Sequence, residues 1–220
     1  MNTDVEVNVL RVFCGEGGSG GNELGVVIDG RSVAEDDRQG LARMLGYSET
    51  VFVDDPDQGR VRIFTPAIEL PFAGHPVVGC GWLLAREGYP ADALLTPAGK
   101  VELSHREDGM TAAVGMPDWC PAFELLEHDS PGEVEALQPG GEGWYYVWAW
   151  IDERAGQIRA RSFVPEAGIA EDEATGSAAL RLCAELGREI EVHQGRGSII
   201  RARPVGDGDG IEISGAVVAE

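Results

Sequence analysis

Lysine is almost missing from this sequence. Lys100 is the only one in 220 residues, and it leaves Schiff-base chemistry a single candidate beside an expected turn. Positive charge as a whole is scarce: 17 Lys and Arg face 38 Asp and Glu, a formal net charge of −21. A surface of that sign repels nucleic acid and anionic membranes, so neither is an expected partner. An anionic substrate must then be held by local donors against the overall field. No apolar run approaches the ~18 residues that a bilayer span needs. The opening residues, MNTDVEVNVL, carry neither the basic region nor the apolar core of a secretory leader, and the expectation is a cytoplasmic chain. The four cysteines, Cys14, Cys80, Cys120 and Cys183, form no C-x-x-C and stand at no ligand spacing to a histidine. No metal site is expected from them, and Cys80 and Cys183 read as small core residues.

Glycine is abundant, with 31 residues and no collagen period. At 43% hydrophobic and 25% charged, the composition is that of a globular chain of one large domain or two smaller ones. Gly17 to Gly21 match the hydrolase pattern G-x-S-x-G, but Leu24 onward reads as a strand, whereas that elbow must lead into a helix. No G-x-x-x-x-G-K-[ST] occurs, and no helix follows the glycines as a dinucleotide site requires, so no cofactor is expected.

Period-2 patterns predict strands over 5–13, 24–28, 50–53 and 60–64. Ser32 to Glu35 reads as a capping box opening a helix that runs to Leu45, with Gly46 as its stop. The apolar stretch from Gly74-His75-Pro76 to Gly88 predicts a helix buried on every face. Arg62-Ile63-Phe64-Thr65-Pro66 returns 99 residues later as Arg161-Ser162-Phe163-Val164-Pro165. Each copy leads through an acidic loop into a glycine that opens an apolar helix, the second running from Gly176-Ser177 to Gly187. Further strands are predicted over 101–104, 111–115, 144–151, 157–163, 189–193, 198–203 and 211–217. Trp144, Tyr146, Trp148 and Trp150 share one strand face, a pattern of core or dimer contact. Residues 117–143 read as loop with one short helix after Ser130-Pro131.

The repeat predicts an α+β chain of two pseudo-symmetric halves, each a curved, mostly antiparallel sheet or barrel around a central helix. The halves are expected at 1–97 and 98–209, joined at the turn Thr96 to Gly99, with the last strand, about 210–220, returning to the first half. If the two helix starts face each other, their free N–H groups and positive dipole ends make a carboxylate site between the halves. Gly74 and His75 would sit on one side of it, and Asp172, Thr175, Gly176 and Ser177 on the other. An acid, an imidazole and hydroxyls around an anion hole suit proton abstraction next to a carboxylate.

Ser48-Glu49-Thr50-Val51-Phe52, Phe64-Thr65-Pro66, Glu69, Gly74-His75-Pro76 and Glu171-Asp172-x-x-Thr175-Gly176-Ser177-Ala178-Ala179 follow the order and spacing of one family. The chain resembles the PhzF-like phenazine-biosynthesis family (PhzC/PhzF), of the diaminopimelate epimerase-like fold. Gly21-Asn22 after the opening strand resembles the family's start, with Glu23 where the family usually has Pro. The resemblance implies a cofactor-independent isomerase acting in biosynthesis, with secondary metabolism as its setting. Glu49 would be the general acid–base residue, assisted by His75, Asp172 and Ser177. Gly74, Thr175, Gly176 and Asn22 would contact a small amino- or hydroxy-carboxylic acid. Two-thiol racemases of this fold carry a cysteine at each helix entrance, where this chain has Ala73 and Thr175. One carboxylate removing and returning a proton on one face fits that pattern. A non-catalytic carboxylate-binding protein, and a dehydratase or cyclisation catalyst, remain open readings, as does the oligomeric state, a homodimer included.

Overall fold

The computed structural model describes residues 5–106, 109–140, 142–206 and 208–220. The chain runs β1 (Asn8–Cys14), β2 (Asn22–Val27), α1 (Glu35–Leu45), β3 (Glu49–Asp55), β4 (Arg60–Phe64), β5 (Glu69–Leu70), α2 (Gly74–Arg86), β6 (Ala93–Thr96), β7 (Gly99–His105) and β8 (Thr111–Gly115). It continues through β9 (Glu124–Glu127), α3 (Pro131–Ala136), β10 (Tyr145–Asp152), β11 (Gln157–Val164), β12 (Ile169–Asp172), α4 (Gly176–Leu186), β13 (Ile190–Gln194), β14 (Ser198–Pro204) and β15 (Ile211–Ala219).

Strand pairing repeats as the sequence motif does. β2–β3 and β9–β10 are parallel pairs, β3–β4 and β10–β11 antiparallel, and β4–β6 and β11–β13 parallel again. The short returns β5 and β12 pair back on β4 and β11 just before each central helix. β1, β2, β3, β4, β6, β7, β8 and β15 close into an eight-stranded barrel, because β15 pairs both β8 and β1. α2 lies inside it, with Val77, Val78, Leu83 and Leu84 buried. Each such side chain contributes about 1.5–3 kcal/mol of burial. α4 packs against β14 and β15, and from β15 the sheet continues beyond the barrel through β14, β13, β11 and β10 to end at β9. The expected joint falls inside the tight β6–β7 hairpin, where Thr96 pairs Gly99, and β7 and β8 continue the first barrel beyond it.

The R-x-F-x-P motif is a strut. Arg62 and Phe64, two apart on a strand, share one face, and the guanidinium lies 5.8 Å from the ring centre while forking onto Glu69 of β5. Arg161 repeats this 4.9 Å from the Phe163 ring, with both bonds to Glu171 of β12 at 2.7 Å. Each strut fixes the hairpin that delivers the next helix start.

One local reading is corrected. Ser32 lies in a 3-10 turn and donates to the Asp29 carbonyl, while Ala34 precedes α1 with no side-chain cap. Gly46 and Gly187 end their helices in left-handed conformation as expected, and Ser130 caps α3 through the Glu133 N–H. β5, β6, β9 and β12, two to four residues each, were not anticipated. Among the described residues, no helix is long and apolar enough to cross a membrane.

Candidate active site

The starts of α2 and α4 meet backbone to backbone. A methyl group at Gly74 would fall 2.6 Å from the Gly176 carbonyl carbon and 2.7 Å from the Ser177 nitrogen. Only glycine allows this approach. Behind Gly176 lies the ring of Phe13, whose φ of 65° is an outlier for a bulky residue and coincides with a bulge in β1. The first N–H groups of a helix have no intrahelical acceptor, so two sets of such donors converge here. Two positive dipole ends in contact repel each other, and an anion between them relieves that repulsion.

Around this junction the sequence has placed a buried polar cluster. The Asn22 amide donates to Asp172 Oδ1 at 2.6 Å and to the Ala174 carbonyl at 3.0 Å, and its oxygen accepts from Ser48 Oγ at 2.7 Å. Thr175 Oγ1 donates to Asp172 Oδ2 at 2.6 Å. His75 Nδ1 lies 3.4 Å from the Asn22 amide nitrogen, and its other nitrogen, Nε2, stands 3.1 Å from Glu49 Oε2. Among the described residues, neither Nε2 nor Oε2 hydrogen-bonds to any other group. Glu49, His75 and Asp172 are each less than a tenth exposed.

Burial dictates the charges. It pushes the Glu49 carboxyl well above the ordinary carboxylate range, and the nearby Asp172 charge adds to the effect. It pulls the His75 imidazole down to about 3, against a smaller opposing effect of the Glu23 backbone. The close Glu49–His75 pair is therefore a carboxyl that favours its proton facing a neutral imidazole, and not an ion pair. Burial also lifts Asp172 to about 6, opposed by hydrogen bonds from Thr175, Asn22 and Ser48. At neutral pH Asp172 is the anion and Glu49 resists becoming a second one.

These features can be set beside known proteins. A family model described as phenazine biosynthesis-like protein, PhzC-PhzF, matches residues 11–140. The trans-2,3-dihydro-3-hydroxyanthranilate isomerase of Pseudomonas aeruginosa is 30% identical over 250 aligned positions, covering 89% of this chain and 90% of that one. The chain belongs to the PhzC-PhzF family. An isomerase of the same name from Pseudomonas chlororaphis is also 30% identical, with the same coverage of both chains. The isomerase class of these relatives is the enzyme class of this chain. A PhzF-family protein from Bacillus anthracis superposes with a TM-score of 0.74 at 19% identity, over 97% of this chain and 96% of that one. A Pseudomonas aeruginosa structure described as a predicted epimerase gives 0.76 at 21%, with the same coverage. These two likenesses establish the epimerase-like fold.

In this PhzF-family chain the structure gathers all eight residues singled out in the sequence. Asn22, Glu49, His75, Asp172 and Thr175 form the polar cluster, and Gly74, Gly176 and buried Ser177 form the helix junction. A cavity of about 430 Å³ opens beside Asn22 and Ser48, with Arg11 and Arg196 in its wall. The glycine-rich loop forms part of its rim. Arg11 holds that loop through the Gly18 and Gly20 carbonyls, and Ser198 Oγ accepts from Gly21 N at 2.8 Å. Two further residues complete the cluster: Ser48, which stood in a family motif without a role and whose hydroxyl orients Asn22, and Gln194, which escaped sequence reasoning and holds Thr175. Gln194 carried a usable signal, since it stands in phase with Ile190 and Val192 on the buried face of β13. Among the described residues, no group of three His, Cys, Asp or Glu side chains could hold a metal ion.

Proposed function

We propose that this chain is a cofactor-independent, PhzF-type isomerase of the cytoplasm that moves a proton along one face of a small amino- or hydroxy-carboxylic acid. The substrate named in its relatives, trans-2,3-dihydro-3-hydroxyanthranilate, combines all three groups. The observation that carries the reading is the Glu49–His75 contact, a buried Oε2 and Nε2 at 3.1 Å that, among the described residues, hydrogen-bond to no other group and that stand beside two abutting helix starts.

In this reading the substrate carboxylate binds to the free N–H groups at Gly74 and Gly176, which supply local positive potential inside a chain of charge −21. Glu49, in its ionised form, takes a proton from carbon and returns it to another carbon of the same conjugated frame. His75 stays uncharged and accepts a hydrogen bond from the Glu49 carboxyl in the half-reaction where the proton rests there. Asp172 remains the anion and, with Ser177, orients the amino or hydroxyl group. Burial makes the ionised Glu49 a strong base, because a second anion beside Asp172 in a dry site is disfavoured and is relieved when Glu49 takes up the proton. With Ala73 and Thr175 at the helix entrances, no thiol pair brackets the substrate, which favours return of the proton to the original face.

The test uses trans-2,3-dihydro-3-hydroxyanthranilate as probe in D₂O. The expected result is isomer formation, followed by mass spectrometry and NMR, with the new carbon–hydrogen position traced to solvent or to the donor carbon. A protein that only binds carboxylates would rise in melting temperature with the probe and form no isomer.

A further inference from the structure

Gln194 lies at the end of β13, buried to 1% exposure, and directs three of its four amide hydrogen bonds to the segment that carries Asp172 and Thr175. Its oxygen accepts from the Thr175 N–H at 3.2 Å and from the Tyr146 hydroxyl at 3.1 Å. Its nitrogen donates to the Asp172 carbonyl at 2.8 Å and to Thr175 Oγ1 at 3.0 Å. The orientation of this amide is fixed by chemistry. A backbone N–H can only donate and a backbone carbonyl can only accept, and Gln194 touches one of each. Because its nitrogen then supplies a proton to Thr175 Oγ1, that hydroxyl is an acceptor on this side, and its own proton is directed to Asp172 Oδ2, 2.6 Å away. Asn22 supplies the proton to Oδ1.

We propose that Gln194 is a positioning residue for Asp172, acting through the Thr175 hydroxyl so that both carboxylate oxygens of Asp172 meet donors. The proposal rests on Asp172 being the anion of the site described above. The arrangement resolves a problem of the cluster: buried carboxyls at Glu49 and Asp172 compete for one negative charge, and the Gln194–Thr175 relay assigns it to Asp172. The other groups near Asp172 are Glu173 next to it, Tyr146 beyond Gln194, and His75 across Asn22. Thr175→Val substitutes none of them and leaves the Tyr146 bond to Gln194 in place, whereas Gln194→Met also removes the acceptor of the Tyr146 hydroxyl, a loss that Tyr146→Phe controls for.

The test needs no substrate, so its failure is distinguishable from failure of the isomerase reading. Protein labelled with carboxyl-¹³C aspartate is titrated by NMR between pH 4 and 9, and the Asp172 resonance is identified with Asp172→Asn. Thr175→Val removes the donor and should raise the Asp172 midpoint by about one unit. Gln194→Met keeps the side-chain length but leaves the hydroxyl unoriented, and should raise the midpoint in the same direction. The double variant should rise no further than Thr175→Val alone, because the two act in series. Tyr146→Phe, which touches only the Gln194 oxygen, should lower the melting temperature and leave the midpoint in place. If Gln194→Met does not fold, Gln194→Asn, one carbon too short to reach Thr175, takes its place. A Gln194 variant that loses thermal stability while Asp172 titrates as in the wild type would make Gln194 a packing residue and overturn the proposal, as would an unmoved midpoint in Thr175→Val.

Discussion

Substituting Gly74 by alanine tests whether the contact between the two helix starts serves function as well as packing. The added methyl would sit 2.6 Å from the Gly176 carbonyl carbon, where ordinary contact begins at 3.4 Å, so the two starts must part by about 0.8 Å. All the obstructing atoms are backbone, so no rotamer change relieves the clash. Overpacking of this kind costs about 1–3 kcal/mol. Gly79→Ala is the matched control: its methyl would meet Leu24 Cδ2 and Val12 Cγ2, also at 2.6 Å, but these are side-chain ends away from the junction. Both variants should melt a few degrees lower, at about 2–4 °C per kcal/mol for a chain of this size. Only Gly74→Ala should lose the site, because a shift approaching 1 Å in the positioning groups costs on the order of 100-fold in turnover. The assays are thermal melting, turnover of trans-2,3-dihydro-3-hydroxyanthranilate, and the melting shift caused by anthranilate as an unreactive carboxylate. Wild-type turnover and anthranilate response in a Gly74→Ala protein that melts like the control would refute the anion site.

The buried carboxyls predict the pH dependence of stability. A native pKa raised above the unfolded value means that the folded state holds protons the unfolded state has lost, so stability falls as pH rises through that interval. Asp172, lifted from 3.8 to about 6, contributes a loss of about 3 kcal/mol across that window. Glu49 extends the loss to higher pH, and the melting-temperature gap between Glu49→Gln and wild type should therefore widen in favour of the variant from pH 5 to 9; a constant gap would contradict the burial argument. The two struts should differ in strength. Arg161 also donates to the Val134, Glu135 and Leu137 carbonyls and is buried, so Arg161→Met should cost about 3 kcal/mol in urea unfolding. Arg62, with its pair about a third exposed, should cost about 1 kcal/mol as Arg62→Met, and equal costs would refute the assignment.

The sequence made the helices and the long strands readable because glycine marks their ends and apolar residues mark their faces. Gly46 and Gly187 stop α1 and α4 through left-handed conformation, at φ 75° and 63°. The repeated R-x-F-x-P betrayed the duplication because each arginine must reach both a ring on its own strand and a glutamate on the returning one. Short strands such as Glu124–Glu127 and Ile169–Asp172 hold too few residues to show alternation, and their pairing is decided by the sheet beside them. Ser32 misled because the same S-x-x-E spacing can place the serine in the preceding turn. The site residues were visible mainly as family motifs. What joins them is invisible locally: Asn22 reaches Asp172 across 150 residues, and Gln194 reaches Tyr146 across 48.

The most direct test of the account is the turnover of Glu49→Gln, which keeps the shape of the side chain and removes its basic oxygen. The account predicts a protein that melts within a few degrees of wild type, still binds trans-2,3-dihydro-3-hydroxyanthranilate, and isomerises it at least ~100-fold more slowly, while His75→Asn loses less. Near-normal turnover in Glu49→Gln, with activity abolished in His75→Asn, would contradict it and move the proton-transfer role to the imidazole.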